Sequence, residues 1–337
     1  MTVSPSPDEQ DWREHHTPTE TDKFRFEFVF EMVAVIASVV IGRALFPGDA
    51  SYWTNVYMTL IGVLITVLVL DRRAERRDRL REERELKTQL VRDASSIVND
   101  VAVNAVHQMK KRGWLDGDKG LLAGVDLSRA NLQGVDLTKA NLQKANLNNT
   151  NLSLADLRNV NLQGANLRNV NLQGADLSKL ELQGLHLEDA NLQEANLLEA
   201  NLQEAYLGAA DLQKANLQDA NLQGANLRKA NLQEAYLGLA NLQRAILFRA
   251  RLQNANLWRA NLQEADLEHA RLQGVDLSSA SLLHAYLGED FNSPELDKTT
   301  ILPDGNFWTP ETDLKKFTNP RNKPDEKSHD EDEGGAE

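Results

Sequence analysis

The 337-residue chain contains no cysteine, which excludes both a disulfide framework and thiolate chemistry. Catalytic vocabulary of other kinds is scarce. Its seven histidines, His15, His16, His107, His186, His269, His284 and His329, are scattered, with no metal-ligand spacing and no nucleophile motif around them. A glycine-rich phosphate loop is also missing. The expectation is a protein that is not an enzyme, with no cofactor and no metal. Charge of one sign is not dominant either. Residues 121–290 carry 14 basic against 19 acidic side chains, and only the segment beyond 290 is notably acidic for its length.

What is present is a rhythm. Leucine occupies every fifth position from Leu122 to Leu287, 34 in a row. Such a repeat is read before any local propensity, because each unit needs stacked neighbours to bury its apolar face. A period of five fits neither the 3.6-residue turn of a helix nor the two-residue alternation of a strand, so the chain must bend at regular intervals. Two residues before each leucine, alanine stands at 25 of the 33 positions from Val125 to Ala285; the exceptions are Val125, Val135, Thr150, Val160, Val170, Leu180, Leu185 and Val275. Asn or Asp usually separates the two, as in Ala130-Asn131-Leu132 and Ala220-Asn221-Leu222. No charged residue falls at either position, as burial of both requires. Each unit thus has one large inward knob, one small filler and three outward or backbone-bonding positions, a pattern suited to a closed coil with a narrow interior.

Ala-(Asn/Asp)-Leu-Xaa-Xaa resembles the signature of the pentapeptide repeat family, over residues 121–290. The resemblance implies an all-β solenoid, a right-handed quadrilateral β-helix with four pentapeptides per coil. On that basis the units stack into a rod roughly 40 Å long at the spacing of paired strands. Some family members resemble a DNA duplex in width and acidity and inhibit type II topoisomerases. That alternative function is weakened here by the small acidic excess, and nucleic acid is not an expected partner.

Folded modulo twenty, the faces that start at Leu122 and Leu132 read Asn-Leu-Gln repeatedly and predict stacked Asn and Gln ladders. The alternate faces, from Leu127 and Leu137, hold the variety, including Tyr206, Ile246 and Tyr286. Between 235 and 263 no acidic residue occurs, while Arg244, Arg249, Arg251 and Arg259 accompany Tyr236, Phe248 and Trp258. Arginine with aromatics suits phosphate, carboxylate or protein surfaces, so these seven residues are the candidate partner-binding collar. The competing reading is a solvated surface with charge drift.

Two apolar runs precede the repeats, 28–46 and 52–70, each near the length that crosses a bilayer and separated by Pro47-Gly48-Asp49. They predict an α-helical transmembrane hairpin, residues 28–70, as the contact with the lipid bilayer. Glu31 and Arg43 lie near the two ends of the first run. Arg72, Arg73, Arg76, Arg77, Arg79, Arg81 and Arg84 follow the second run, which places this exit, the N-terminus and the repeats on the cytoplasmic side of an inner (plasma) membrane. The interleaved Asp71, Glu75, Asp78 and Glu82 equally suit a solvated helix face.

Residues 71–112 contain neither Gly nor Pro and predict one charged-to-amphipathic linker helix. Its stripe Leu90, Ala94, Ile97 and Val101 suits self-association into a homo-oligomer or packing on the barrel end. The barrel with its N-terminal cap is expected over 113–290, where Trp114 and Leu115 would cover the first coil, and 291–318 would cap the last. Residues 1–27 and 319–337 read as disordered leader and acidic tail. The preferred function is a membrane-anchored scaffold recruiting an unidentified protein partner; a subunit of an oligomeric membrane pore or sensor is a further alternative.

Overall fold

The computed structural model describes residues 34, 37–38, 41, 50–287, 296 and 298–317. The leader, most of the first apolar run with Glu31 and Arg43, the Pro47-Gly48-Asp49 turn and the acidic tail lie outside the described residues. Of the expected hairpin, only the second arm is therefore described throughout. The chain divides into two compact units, Met1–Glu83 and Arg84–Glu337.

Helix α1 runs from Ala50 to Ala94. Its first half is apolar on all sides, and Met58, Ile61, Ile65, Leu68 and Leu70 are exposed. Among the described residues it is the one helix long and apolar enough to cross a membrane. The hydroxyls of Thr59 and Thr66 donate back to Asn55 O and Gly62 O, both at 2.8 Å, so these polar groups are satisfied inside the helix.

The expected single linker helix over 71–112 is broken: α1 stops at Ala94 and α2 spans Asn99–Lys111. No glycine or proline causes this. Ser95 Oγ donates to Asp126 O at 2.9 Å, Ser96 O accepts the Asn131 N–H at 2.9 Å, and Asn99 Nδ2 donates to Asn131 O and Gln133 O at 3.2 Å. Short polar side chains that compete for backbone groups end helices, and here the first coil of the repeats supplies the partners. The break also splits the predicted stripe. Leu90 and Ala94 are buried in the core shared with the repeats, but Ile97 is 74 % exposed, and α2 buries Ala102, Ala105, Val106 and Met109 instead.

In the repeats, residues twenty apart pair as parallel bridges, from Asp126 with Asn146 to Asp266 with Tyr286. Twenty residues therefore make one coil, and four pentapeptides make its four faces. Every register leucine from Leu122 to Leu287 is at most 2 % exposed, and the residue two before it is buried at every position after Val125. Thr150 tolerates burial because its hydroxyl donates to Leu127 O at 2.8 Å.

The repeat signature follows from where five N–H groups go. In the unit centred on Leu147, Asn146 donates to Val125 O one coil below, while Leu147 and Asn149 donate to Asn166 O and Arg168 O one coil above; Thr150 closes the turn on Leu147 O. The fifth, on Asn148, is taken by the Asn146 Oδ1 at 3.2 Å. All 24 Asn or Asp residues preceding a leucine from 126 to 276 accept the N–H two residues ahead in this way. A buried backbone needs such complete accounting, and the short acceptor is what Asn and Asp supply.

Each corner has a cost. The residue two after each leucine adopts positive φ at all positions from 124 to 284, where seven glycines are interspersed among 26 other residues. Turns of this kind favour glycine, and a side chain there costs about 1–2 kcal/mol. The stack tolerates it because each such corner is fixed by its neighbours on both sides.

Both ends are closed by chain that mimics a further coil. At the first coil, Ser96 O and Leu115 O accept the N–H groups of Asn131 and Asn141, the latter at 2.8 Å. Leu115 is fully buried and Trp114 packs against the same core. At the other end, Leu302 re-enters the leucine register: Ile301 pairs with Ser281, and Leu282 donates to Ile301 O at 2.7 Å. The chain then folds back, with Ile301 bridging Phe307 and Trp308 donating to Thr300 O at 2.9 Å. That return occupies backbone groups that would otherwise template another strand.

Candidate functional site

The coil geometry distributes the predicted collar instead of gathering it. Arg244 and Arg249 sit at the corners after the Leu122 and Leu127 faces, Arg251 lies on the Leu132 face, and Arg259 at the corner after the Leu137 face. Arg244 is not the acid-free cation that the linear sequence suggests. Its Nε donates to Glu264 Oε2 at 2.7 Å, one coil above. Hydrogen bonding to Arg244 holds the Glu264 carboxyl below its ordinary pKa. Arg251 donates to Gln233 Oε1 at 2.5 Å.

The remaining five residues form two patches on opposite faces. On the Leu137 face, Tyr236 is 59 % and Trp258 38 % exposed, with Leu239 exposed beside them. Trp258 lies over Gly238, where a Cβ would already meet Trp258 Cε3 at 4.0 Å, so a longer side chain would compete with the indole. The Arg259 guanidinium stands 4.5 Å from the indole centre. On the Leu127 face, Phe248 is flanked by Arg228 at 5.1 Å and Arg249 at 5.0 Å, and His269 meets its edge at 5.6 Å. Such cation–π contacts contribute about 0.5–1 kcal/mol each at exposed sites and present flat apolar area with attached charge.

Arg228, Leu239 and His269 are not among the predicted residues. The signal for two of them is arithmetic: Arg228 is twenty before Phe248, and His269 is twenty after Arg249. Lower on the Leu127 face, His186 stacks on Tyr206 at 4.6 Å, again twenty apart. Arg168 and His186 converge on Glu188 Oε1 at 3.1 and 2.9 Å. Burial pushes the Glu188 carboxyl up, but these two hydrogen bonds, a backbone hydrogen bond and the nearby His186 together outweigh it, and its pKa is lowered.

Of the predicted ladders, the Asn one forms and the Gln one largely does not. Asn side chains donate from coil to coil, as Asn151 to Asn131 and Asn241 to Asn221, and they do so on all four faces. Among the described residues a Gln–Gln bond occurs only between Gln143 and Gln163. The reason is that the Asn amide is already fixed by its own turn, whereas the Gln amide extends past the corner.

These features define a class, a solenoid whose axis is filled by leucine and small side chains and which meets its surroundings through its outer faces. The pentapeptide repeats family model matches in eight copies between residues 121 and 282. The repeat domain belongs to that family, whose fold is the right-handed quadrilateral β-helix. Similar solved structures include HetL from Nostoc sp. strain PCC 7120, a pentapeptide repeat protein involved in heterocyst differentiation regulation. It is 29 % identical over 61 % of this chain and 99 % of its own, with a TM-score of 0.31. QnrB1, a plasmid-mediated fluoroquinolone resistance protein, is 17 % identical over 52 % of this chain and 91 % of its own, with a TM-score of 0.42. A pentapeptide repeat protein of the Arabidopsis thaliana thylakoid lumen is 31 % identical over 32 % of this chain and 71 % of its own, with a TM-score of 0.25. No curated protein sequence matches significantly.

Proposed function

We propose that this protein is a non-enzymatic scaffold, held at a bacterial inner membrane by its N-terminal apolar segments and offering its barrel to a protein partner on the cytoplasmic side. The observation that carries the reading is the pairing of aromatics with arginines on two opposite faces of a mostly polar, regular shaft, Tyr236 and Trp258 exposed on one face and Phe248 half-buried on the other. Aromatic and arginine side chains dominate the energetic centres of protein interfaces. The apolar, unburied half of α1 supports the anchor, and the arginines that follow it support the orientation.

Duplex mimicry, the alternative that the family offers, needs a continuous acidic surface. On this shaft Glu188, Glu199, Glu234 and Glu264 each face a basic side chain one coil below, at 3.1, 3.5, 3.8 and 2.7 Å. Crosslinking mass spectrometry on native membranes tests the scaffold. Partner crosslinks to the barrel should disappear in Arg249→Glu/Arg259→Glu, and an unchanged partner set would remove the two patches from the site. Release of the intact chain by alkaline carbonate would remove the anchor.

A further inference from the structure

The inter-coil ladder has one interruption. Between residues 124 and 267, every backbone bond of the repeating pattern forms except five that lie side by side. These are Asn159 N–H to Ser178 O, Leu162 to Glu181 O, Gly164 to Gln183 O, Glu181 to Val160 O and His186 to Ala165 O. The bridge between Asn161 and Glu181 is missing with them.

The loss is graded around the coil. On the Leu132 face Leu152 donates to Asn171 O at 2.7 Å, and on the Leu137 face Leu157 donates to Asp176 O at 3.2 Å. On the Leu122 face there is no bond. On the Leu127 face Leu167 recovers His186 O at 3.0 Å, and Leu172 is again 2.7 Å from Asn191 O. Two neighbouring coils therefore splay as a wedge, closed on the Leu132 face and open on the opposite Leu122 face. Asn161, Gln163, Glu181 and Gln183 are exposed at the opening, while their counterparts Asn201, Gln203, Asn221 and Gln223 are half-buried.

The filler column explains the wedge. On the Leu122 face it runs Ala140, Val160, Leu180, Ala200, and on the Leu127 face Ala145, Ala165, Leu185, Ala205. Val160, Leu180 and Leu185 remain buried, so three branched side chains crowd two adjacent columns in which alanine fills most other positions at the ~4.8 Å spacing of paired strands. Overpacking of a tight interior is relieved by backbone movement, here by lifting one coil off the next. Glu181 also replaces the Asn that would continue the amide ladder from Asn161.

We infer that this wedge is a hinge, about which the distal coils bearing both aromatic patches rock against the first coils fixed by α2. In a solenoid, stability is a sum of nearest-neighbour interfaces, and the interface that lacks five bonds on one side is where the stack yields first.

Hydrogen exchange of the intact chain in lipid nanodiscs tests this. The amides of Leu162, Gly164, Glu181 and His186 should exchange roughly a hundredfold faster than those of Leu202, Gly224, Asn201 and Tyr206. The variant Val160→Ala/Leu180→Ala/Glu181→Asn/Leu185→Ala should bring the two groups to the same rate. Because that variant has four changes in or beside the core, a second measurement keeps the original interior. The absence of native cysteine permits spin-label pairs at Gln143→Cys/Gln223→Cys across the wedge and Gln203→Cys/Leu283→Cys beyond it, with equal numbers of coils between them. A broader distance distribution for the first pair is expected. Equal widths, or equal exchange in the parent chain, overturn the hinge.

Discussion

Ile61, Ile65, Leu68 and Leu70 of α1 present their side chains outward, while the barrel seals each of its 34 register leucines to 2 % exposure or less. The same kind of side chain serves opposite ends because the two backbones are satisfied differently. A helix bonds within itself, so its whole circumference is free to meet an apolar medium. The barrel bonds from coil to coil, so its register leucines close the interior and its outward positions, with exceptions such as Leu154 and Tyr236, are mostly polar. Introducing a charge into each region should separate the two cases most sharply. Leu217→Asp places a carboxylate in the sealed column and should cost more than about 4 kcal/mol, seen as lost protease resistance and cooperative melting of the barrel. Leu68→Asp should leave that melting unchanged and reduce membrane retention on fractionation. Melting that responds equally to both changes would erase the distinction.

A milder cut sharpens the comparison within the barrel itself. Leu222→Ala removes a knob from a regular coil and should lower stability by about 2–5 kcal/mol. Leu180→Ala removes one of the side chains that hold the wedge open, and it should cost less than Leu222→Ala in thermal or denaturant melts, because part of the loss returns as restored inter-coil bonding.

These contrasts also mark what is legible in the sequence. The leucine register and the small filler disclose the coil, its inward columns and its limits, because a strict period leaves few ways to bury one face. The caps are legible in outline; Leu302 is harder to find because non-repeating chain separates it from Leu287. The collar is misleading in one respect. Arg244 looks free of acid across a linear window, yet Glu264 lies twenty residues on and directly above it. Neighbourhood in a coil follows the circumference, so a window along the chain misses it, and Arg228 and His269 escape for the same reason. The break at 95–98 is invisible because its cause lies in Asn131 and Gln133, which meet Ser96 and Asn99 only in the folded chain.

The Asn position offers a smaller test. Asn221→Ala removes the acceptor of the Gln223 N–H and a link in the ladder to Asn201 and Asn241, and should cost about 1 kcal/mol. Tyr236 stands at the same position of its unit without that acceptor. Tyr236→Asn should therefore raise the melting temperature while weakening partner crosslinks, the trade expected where a binding residue displaces a structural one. A variant that gains stability and keeps every crosslink would show that Tyr236 is not a contact.

The smallest expected effect compares the first coil with the shaft. Lys110 of α2 bonds the Asp136 carboxylate and tethers the cap to the Leu137 face. That bond holds the Asp136 pKa down to about 2, below the ~3.9 of an unfolded aspartate. A lowered folded pKa means that the stabilisation is complete above about pH 4 and is lost as pH falls through about 2. Both side chains retain solvent access, so the contribution is a screened one. Acidification from pH 5 to pH 2 should therefore loosen the α2 cap selectively, seen as faster amide exchange at Asn131 and Asn141 than at Asn241 and Asn261. In Lys110→Gln the Asp136-dependent part of that difference should vanish, and exchange at the cap should already be faster at pH 5. If acid instead opened the central coils first, the cap contact would not be the acid-sensitive joint, and the carboxylates along the shaft would have to carry more of the stability than their exposed ion pairs allow.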